Sequence, residues 1–237
     1  MSSILPALPF QSPLRLATLA DLPSISLIAT RGFYTSQVFR YERPLHAQYS
    51  SDTAEDYRRA FEKRIRGDQW VVVVAKDVGD AGMEVVGVCC WRLPEGSGIV
   101  GWFQQGGDGT GDPRIEPQPT PWISRDKSPT RVRLVQTAIQ AAHSKHFPPT
   151  ATLIVDMLAV HPVYQRRGHG RALVEWGIQL ARLDGLGVGT VASNMGELLF
   201  GAMGFRGVER VRVRDEGEDD EGIEVVVVWR EREVLDA

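Results

Sequence analysis

The run Leu153-Ile-Val-Asp-Met-Leu-Ala-Val-His-Pro-Val-Tyr-Gln-Arg-Arg-Gly-His-Gly-Arg171 constrains this chain more than any other stretch. An apolar strand ends there in a turn that carries Gln165, the arginines Arg166 and Arg167, and the glycines Gly168 and Gly170, and a helix follows at once. Such a turn points several backbone N–H groups and a helix N-terminus at one place, which is what an anion such as a phosphate requires. The glycines matter because a side chain would hold the backbone away from the anion and would penalise the positive φ such turns often need. The plain alternative for Arg166, Arg167 and Arg171 is a solvated basic turn. Spacing and glycines together favour a phosphate-bearing ligand.

The rest of the composition excludes other classes. With 237 residues, 43% of them hydrophobic, the chain is long enough for a full core and reads as one domain over 1–237. A formal net charge of −3 leaves no electrostatic footprint for nucleic acid or an anionic membrane. Apolar runs such as 70–75 and 225–229 are strand-length, far short of the roughly 20 residues that cross a bilayer. The N-terminus is apolar and broken by Pro6, Pro9 and Pro13, without a basic segment or a cleavage site, and reads as a short flexible arm. Cys89 and Cys90, the only cysteines, are adjacent on a predicted strand, so their side chains point to opposite faces. We expect reduced thiols, one buried and one not, in a cytoplasmic or nuclear setting. No histidine cluster accompanies them, so no metal site is expected.

Periodicity gives the order of elements. A short strand at 14–16 precedes a helix that starts near Asp21, an N-cap type, with Pro23 in its first turn, and runs to about Phe33. A second helix covers 53–65, and strands at 70–76 and 83–93 form a hairpin. The segment 94–129 is rich in glycine, proline and polar residues, too poor in apolar area to offset ordering, and reads as a flexible insertion whose ends Trp102, Phe103 and Trp122 would anchor. Then follow a helix at 131–146, the strand 152–160, the turn, a helix at 168–184, a strand at 188–192, a short helix at 196–203, and strands at 205–214 and 223–230. The strand–helix–strand unit from 152 to 192 predicts one parallel pair with a right-handed crossover, and the remaining strands antiparallel. The fold class is therefore α/β, of the α+β type: a mixed, mostly antiparallel sheet of about seven strands with helices on both faces. The acidic run 215–222 between the last two strands reads as a solvated hairpin loop, with attraction of a cationic substrate as the rarer reading.

Gly168-x-Gly170 alone is neither a dinucleotide fingerprint nor a Walker loop. The longer pattern is more specific. Leu158-Ala-Val160, Pro162 and Tyr164-Gln-Arg-Arg-Gly-His-Gly170 resemble the acetyl-CoA motif of the GNAT N-acetyltransferase superfamily, Gln/Arg-x-x-Gly-x-Gly/Ala. Ala192-Ser193 and Leu199-Phe-Gly-Ala-Met-Gly-Phe205 resemble its second signature, which ends in Gly-Phe. The resemblance covers about 14–230, and the 94–129 insertion departs from the minimal family core.

The resemblance implies acetyl-CoA as cofactor. Leu158, Ala159 and Val160 would sit where one parallel strand splays from the other, their free backbone groups pairing with the pantetheine arm as an added strand. The amides of Gln165, Arg166, Arg167, Gly168, His169, Gly170 and Arg171 would hold the pyrophosphate. Ser193, at the position of the family's frequent Asn, and Asn194 would flank the pantetheine from the other side. Phe200 stands where the family's usual general acid is a tyrosine, in the pattern Leu-Tyr-x-x-x-Gly-Phe. A phenyl ring cannot donate a proton, so another group, water or direct thiolate departure must serve.

Acetyl transfer to an amine needs a neutral amine, a stabilised oxyanion and a proton for the leaving thiolate. In the family a backbone N–H of the splayed strand often serves the oxyanion, here Leu158 or Ala159. Asp156, an acid inside the apolar run 153–160, is the candidate base, and desolvation would raise its pKa if it faces the cleft. Its alternative is a carboxylate accepting structural hydrogen bonds. Glu84 and His161 are lesser candidates. Phe33, Tyr34, Phe39 and Tyr41, on the first helices and their connection, would wall the acceptor pocket, or else pack as ordinary core.

The expected activity is N-acetylation of a primary amine on a small molecule or protein, by direct transfer in a ternary complex. The alternatives are a GNAT-fold module that binds acyl-CoA without turnover, which Phe200 favours, and a nucleotide binder. The acceptor cannot be read from the sequence, because fold does not dictate substrate. Edge strands at the C-terminus would let two copies pair as a homodimer.

Overall fold

The computed structural model describes residues 13–79, 82–96, 122–215 and 221–232. The expected arm before residue 13, Trp102 and Phe103 with most of the insertion, and the middle of the acidic run lie outside them.

Seven strands form one sheet: β1 (Leu14–Leu16), β2 (Trp70–Gly79), β3 (Gly82–Arg92), β4 (Thr152–Val160), β5 (Gly187–Ala192), β6 (Arg206–Val213) and β7 (Ile223–Arg230), in the spatial order β1-β2-β3-β4-β5-β7-β6. Only β4 and β5 run parallel, and every other neighbouring pair is antiparallel. The mixed, mostly antiparallel sheet read from the sequence is the one observed. Among the described residues six helices surround it: α1 (Leu22–Gly32), α2 (Gln37–Glu42), α3 (Ser50–Arg66), α4 (Pro129–His146), α5 (His169–Leu183) and α6 (Asn194–Gly201).

Period-two alternation sorts the side chains onto two faces. Val71, Val73, Cys89, Trp91, Leu153, Val155, Val226 and Val228 face α5 and α6. Val72, Val74, Val88, Cys90 and Ala159 face α1 and α3, while Ile154 and Val227 meet α4. On α5, Leu173, Val174, Trp176, Gly177, Ile178, Leu180 and Ala181 form the buried stripe. Trp176 meets Trp91 of β3 with ring centroids 6.3 Å apart, both rings essentially inaccessible. Removing one such buried ring costs about 3–5 kcal/mol. This packing fixes the start of α5 beside the end of β4.

Three local expectations change. Both Cys89 and Cys90 are fully buried, not one of the two, because helices cover both faces of the sheet. They do point to opposite faces. Asp21 stands at the N-cap position of α1, as expected, but its side chain makes no cap hydrogen bond there. It ends a 3-10 turn (Leu19–Asp21), where its carboxylate accepts from Arg15 Nη1 and Nη2 at 2.7 Å each, from Thr18 N at 2.8 Å and from Thr18 Oγ1 at 3.0 Å. A bidentate guanidinium outcompetes a helix cap for the same oxygens. The connection after α1 also forms its own short helix, α2, which buries Phe39 and Tyr41.

Candidate functional site

Strands β4 and β5 pair only at Thr152↔Gly187, Leu153↔Val188 and Ile154↔Gly189. One residue further, Thr190 Oγ1 donates to the carbonyl of Val155 at 2.8 Å, and beyond it the parallel ladder ends. On its other side β4 stays paired with β3 as far as Gly87↔Val160. The two parallel strands therefore part over Asp156 to Val160.

A bulge sits where they part. Cys90 pairs with Met157 and Trp91 with Val155, so Asp156 is the extra residue of β4. Further along, the N–H of His161 donates to Val86 O at 2.9 Å. The two-residue alternation of an antiparallel ladder then turns the main-chain groups of Met157 and Ala159 toward β3, and those of Leu158 and Val160 into the gap. Of the two N–H groups considered for an oxyanion, that of Leu158 faces the opening. The carbonyl of Val160 accepts from Gln165 Nε2 at 3.1 Å, which ties the turn to the strand end.

After β4, a 3-10 turn (Pro162–Tyr164) leads into the loop. The N–H of Tyr164 donates to His161 O at 2.8 Å and that of Gln165 to Pro162 O at 3.3 Å, so the Gln165 amide is already engaged. From Arg166 through Arg171 no N–H has a hydrogen-bond partner among the described residues, and pairing resumes at Ala172 N, which donates to Gly168 O. Arg166 (φ 64°) and Gly168 (φ 91°) turn the chain so that these donors converge ahead of α5. A helix N-terminus adds its dipole, roughly 0.3–1 kcal/mol for each favourable anion contact. The donor set and the open gap fit a diphosphate with an extended arm.

Side chains of the loop are held from outside. His169 Nε2 lies 2.9 Å from Asp77 Oδ2, and Arg167 Nη1 donates to the same oxygen at 3.4 Å. These partners hold the Asp77 carboxyl below its ordinary value, the hydrogen bond from His169 first among the causes. Arg167 also lies over the Tyr164 ring, 4.9 Å from its centroid.

A cleft of about 550 Å³ runs along this region. Leu158, Ala159, Val160, Gln165, Arg166, Gly168, His169, Gly170, Arg171, Ser193 and Phe33 line it, as do Met195, Gly196 and Leu199, none of which the sequence reading assigned to the site. Arg167 and Asn194 do not line it. Phe200 is buried against Phe205, edge-on with centroids 5.1 Å apart, and turns its ring into the core and not into the cleft.

Of the proposed acceptor wall, only Phe33 reaches the cleft. Tyr34 is about half exposed, Phe39 belongs to the core under α1 and α3, and Tyr41 packs with α4 and β7. Asp156 is not a lining residue either. Arg64 of α3 donates to its Oδ2 from Nε at 2.9 Å, with Nη2 at 2.8 Å. Glu84 accepts from Tyr164 Oη at 3.5 Å. The Nε2 of His161 meets Arg31 Nη1 at 3.0 Å, and burial, then the Arg31 charge, push that imidazole below its ordinary pKa, so Nε2 is a neutral acceptor already in use. Among the described residues, no cluster of His, Cys, Asp and Glu is suited to a metal, and no helix is long and apolar enough to cross a membrane.

Residues 130–205 match the model of the acetyltransferase (GNAT) family. A protein from Stachybotrys chartarum named acetyltransferase is 33% identical over 225 residues, which cover 95% of this chain and 93% of that protein. Among solved structures, mosquito arylalkylamine N-acetyltransferase like 5b superposes with a TM-score of 0.59 at 19% identity, covering 92% of this chain and 98% of that one. The Corynebacterium glutamicum protein described as histone acetyltransferase HPA2 and related acetyltransferase gives 0.57 at 21% identity, over 94% and 98%. A GNAT superfamily phosphinothricin acetyltransferase from Sinorhizobium meliloti, solved in complex with acetyl-CoA, gives 0.51 at 18% identity, over 92% and 87%.

Proposed function

Because the chain belongs to the GNAT family of acetyltransferases, we propose that it moves the acetyl group of acetyl-CoA onto the primary amine of a small molecule or protein, by direct transfer in a ternary complex. The observation that carries this reading is the unbroken series of unpaired N–H groups from Arg166 through Arg171 beside a parted parallel pair. The Sinorhizobium protein of the same fold binds acetyl-CoA, which supports the same cofactor here.

Acetyl-CoA supplies an activated acyl group on a good leaving thiolate. The chain's own residues do the rest. Amides from Arg166 to Arg171 bind the diphosphate, and the main chain of Leu158 and Val160 aligns the arm as a strand would. The N–H of Leu158 stabilises a developing oxyanion from a fixed direction. Asp156, anchored by Arg64, takes the amine proton, directly or through water. Ser193, with Met195 and Leu199, closes the opposite wall against solvent. Core residues 14–230 act as one domain, and reduced Cys89 and Cys90 suit a cytoplasmic or nuclear setting.

Titration calorimetry with acetyl-CoA, followed by thiol release across a panel of amines, tests the proposal. Micromolar binding with turnover of at least one amine supports it, and no binding at millimolar acetyl-CoA overturns it. A second reading has its own observation. Phe200, where the family places a proton-donating tyrosine, is locked into the core against Phe205, which favours a module that binds acyl-CoA without turnover. Tight binding with no thiol release from any amine selects that reading.

A further inference from the structure

A second cavity, of about 630 Å³, opens on the α4 face of the sheet, at the end of β4 away from the cleft. Its lining shares no residue with that of the cleft. Along β4, Ile154 in this cavity is four residues from Leu158, about 13 Å at a strand rise of about 3.3 Å per residue. The volume is in the range of sites that enclose a small molecule.

Its walls carry charges of both signs that do not meet. Arg92, the last residue of β3, is half-buried, and the one side-chain hydrogen bond of its guanidinium among the described residues runs from Nη2 to His143 Nδ1 at 2.9 Å. Burial, and after it the Arg92 charge, push His143 down to about 4, so the ring is neutral and, among the described lining residues, the guanidinium is the only cation. Among the described residues, no carboxylate pairs with Arg92. The carboxylates of Asp68 and Glu95, exposed at the rim, have no ion pair among the described residues either. Thr152, 2% exposed, stands in the wall with an Oγ1 that lacks any hydrogen-bond partner. Phe147 and Ile154 supply an apolar floor.

Opposite charges around one cavity normally collapse into ion pairs. These are held apart by the frame: Leu93 N–H donates to Gln69 O, and Glu95 N–H to Pro149 O, each at 2.9 Å, which pins the rim open. An unpaired guanidinium inside, a buried hydroxyl that lacks an acceptor, and carboxylates at the mouth complement a ligand that is negative at its inner end and positive at its outer end. We propose that this cavity binds a small zwitterion, its carboxylate on Arg92 and its ammonium at Asp68 and Glu95. The occupant is distinct from the acetyl acceptor, since its ammonium is held at the mouth, on the far side of Arg92 from the cleft.

The test is calorimetric titration of the full chain with a panel of free α-amino acids. The same compounds with the carboxyl amidated, and with the amine acetylated, serve as controls. At least one free amino acid should bind, and each masked form should bind about tenfold more weakly or worse. Arg92→Gln should abolish that binding while the affinity for acetyl-CoA stays within about twofold. Asp68→Asn, an exposed change that leaves the fold alone, should weaken it several-fold. Absence of heat with every free amino acid overturns the proposal, as does binding that survives both substitutions or equal binding of the masked forms. Acetylation of the bound amino acid itself, lost in Arg92→Gln, would make this cavity the acceptor pocket and overturn its assignment as a separate site.

Discussion

Arg64 of α3 grips Asp156 of β4, with Nη2 at 2.8 Å and Nε at 2.9 Å from the same carboxylate oxygen. The guanidinium is itself steadied by lying over Trp70, 4.9 Å from the ring centroid. Asp156 is the bulge residue, and its side chain is 24% exposed although the residue as a whole is open, so much of the accessible surface there is main-chain. The pair therefore fixes the carboxylate while the strand beside it stays unpaired.

A base acting on the amine predicts that Asp156→Asn lowers kcat by about 10²–10⁴-fold, with the affinity for acetyl-CoA within about twofold of wild type. Arg64→Gln should lower kcat less, because the base survives but loses its orientation. Steady-state kinetics beside calorimetry decides this. A folded Asp156→Asn variant with unchanged kcat assigns the carboxylate a purely structural role.

Asp77 on β2, which does not line the cleft, predicts an effect on cofactor binding through the loop it holds. Its carboxylate holds both His169 and Arg167, so Asp77→Ala frees the side chains that keep the loop's N–H groups converged. We expect the Kd for acetyl-CoA to rise about three- to tenfold while Tm moves by no more than about 2 °C, since exposed pairs add little to stability. A fall in Tm without a change in Kd would contradict this role.

The two loop glycines should fail differently. A Cβ on Gly170 would lie 3.5 Å from Leu199 Cδ2 and 3.7 Å from Val160 Cγ2, ordinary contacts, so the protein itself has room for it. Gly170→Ala should keep its Tm yet lose at least about tenfold in acetyl-CoA affinity, because the methyl occupies the approach to the diphosphate. Gly168 has open space around it but a φ of 91°, so Gly168→Ala should cost about 1–2 kcal/mol of stability and loosen binding as a consequence. Melting curves and calorimetry on both variants separate the effects.

The turn after Val160 was legible because glycines, arginines and an abrupt helix start are local, and local geometry is written in adjacent residues. The same holds for the strand order, since period-two runs such as Val71 to Ala75 admit few alternatives. What stayed hidden was tertiary. Phe39 and Tyr41 read as a cleft wall because they follow α1, yet α2 folds them under α3 and α4, and nothing in six residues announces which way a short helix turns. Arg64 and Asp77 are likewise invisible as partners of Asp156 and His169, being 92 residues away in each case. Leu199, by contrast, lies inside the second signature and Gly196 between its two parts, and their short spacing to Ser193, the N-cap of the helix that carries both, was the signal that could have placed them at the cleft.

A last prediction concerns pH. Glu42, at the end of α2, has its carboxyl pushed up to about 7, chiefly by burial; Lys127 and Arg43 pull it down and Asp56 adds to the rise. The folded state thus holds a proton that the unfolded chain, with a carboxyl near 4.5, releases. Stability from this group is complete below about pH 4.5 and declines as pH rises through 7. After allowance for partial solvent access, the loss between pH 5 and 8 amounts to about 1–3 kcal/mol. Glu42→Gln keeps the neutral shape and cannot ionise. Its Tm should therefore gain on the wild type as pH rises, by a few degrees between pH 5 and 8. Parallel melting curves for the two proteins, equally spaced at every pH in that interval, would show that Glu42 ionises freely in the folded state and that the site around Arg43 and Asp56 imposes no cost on its charge.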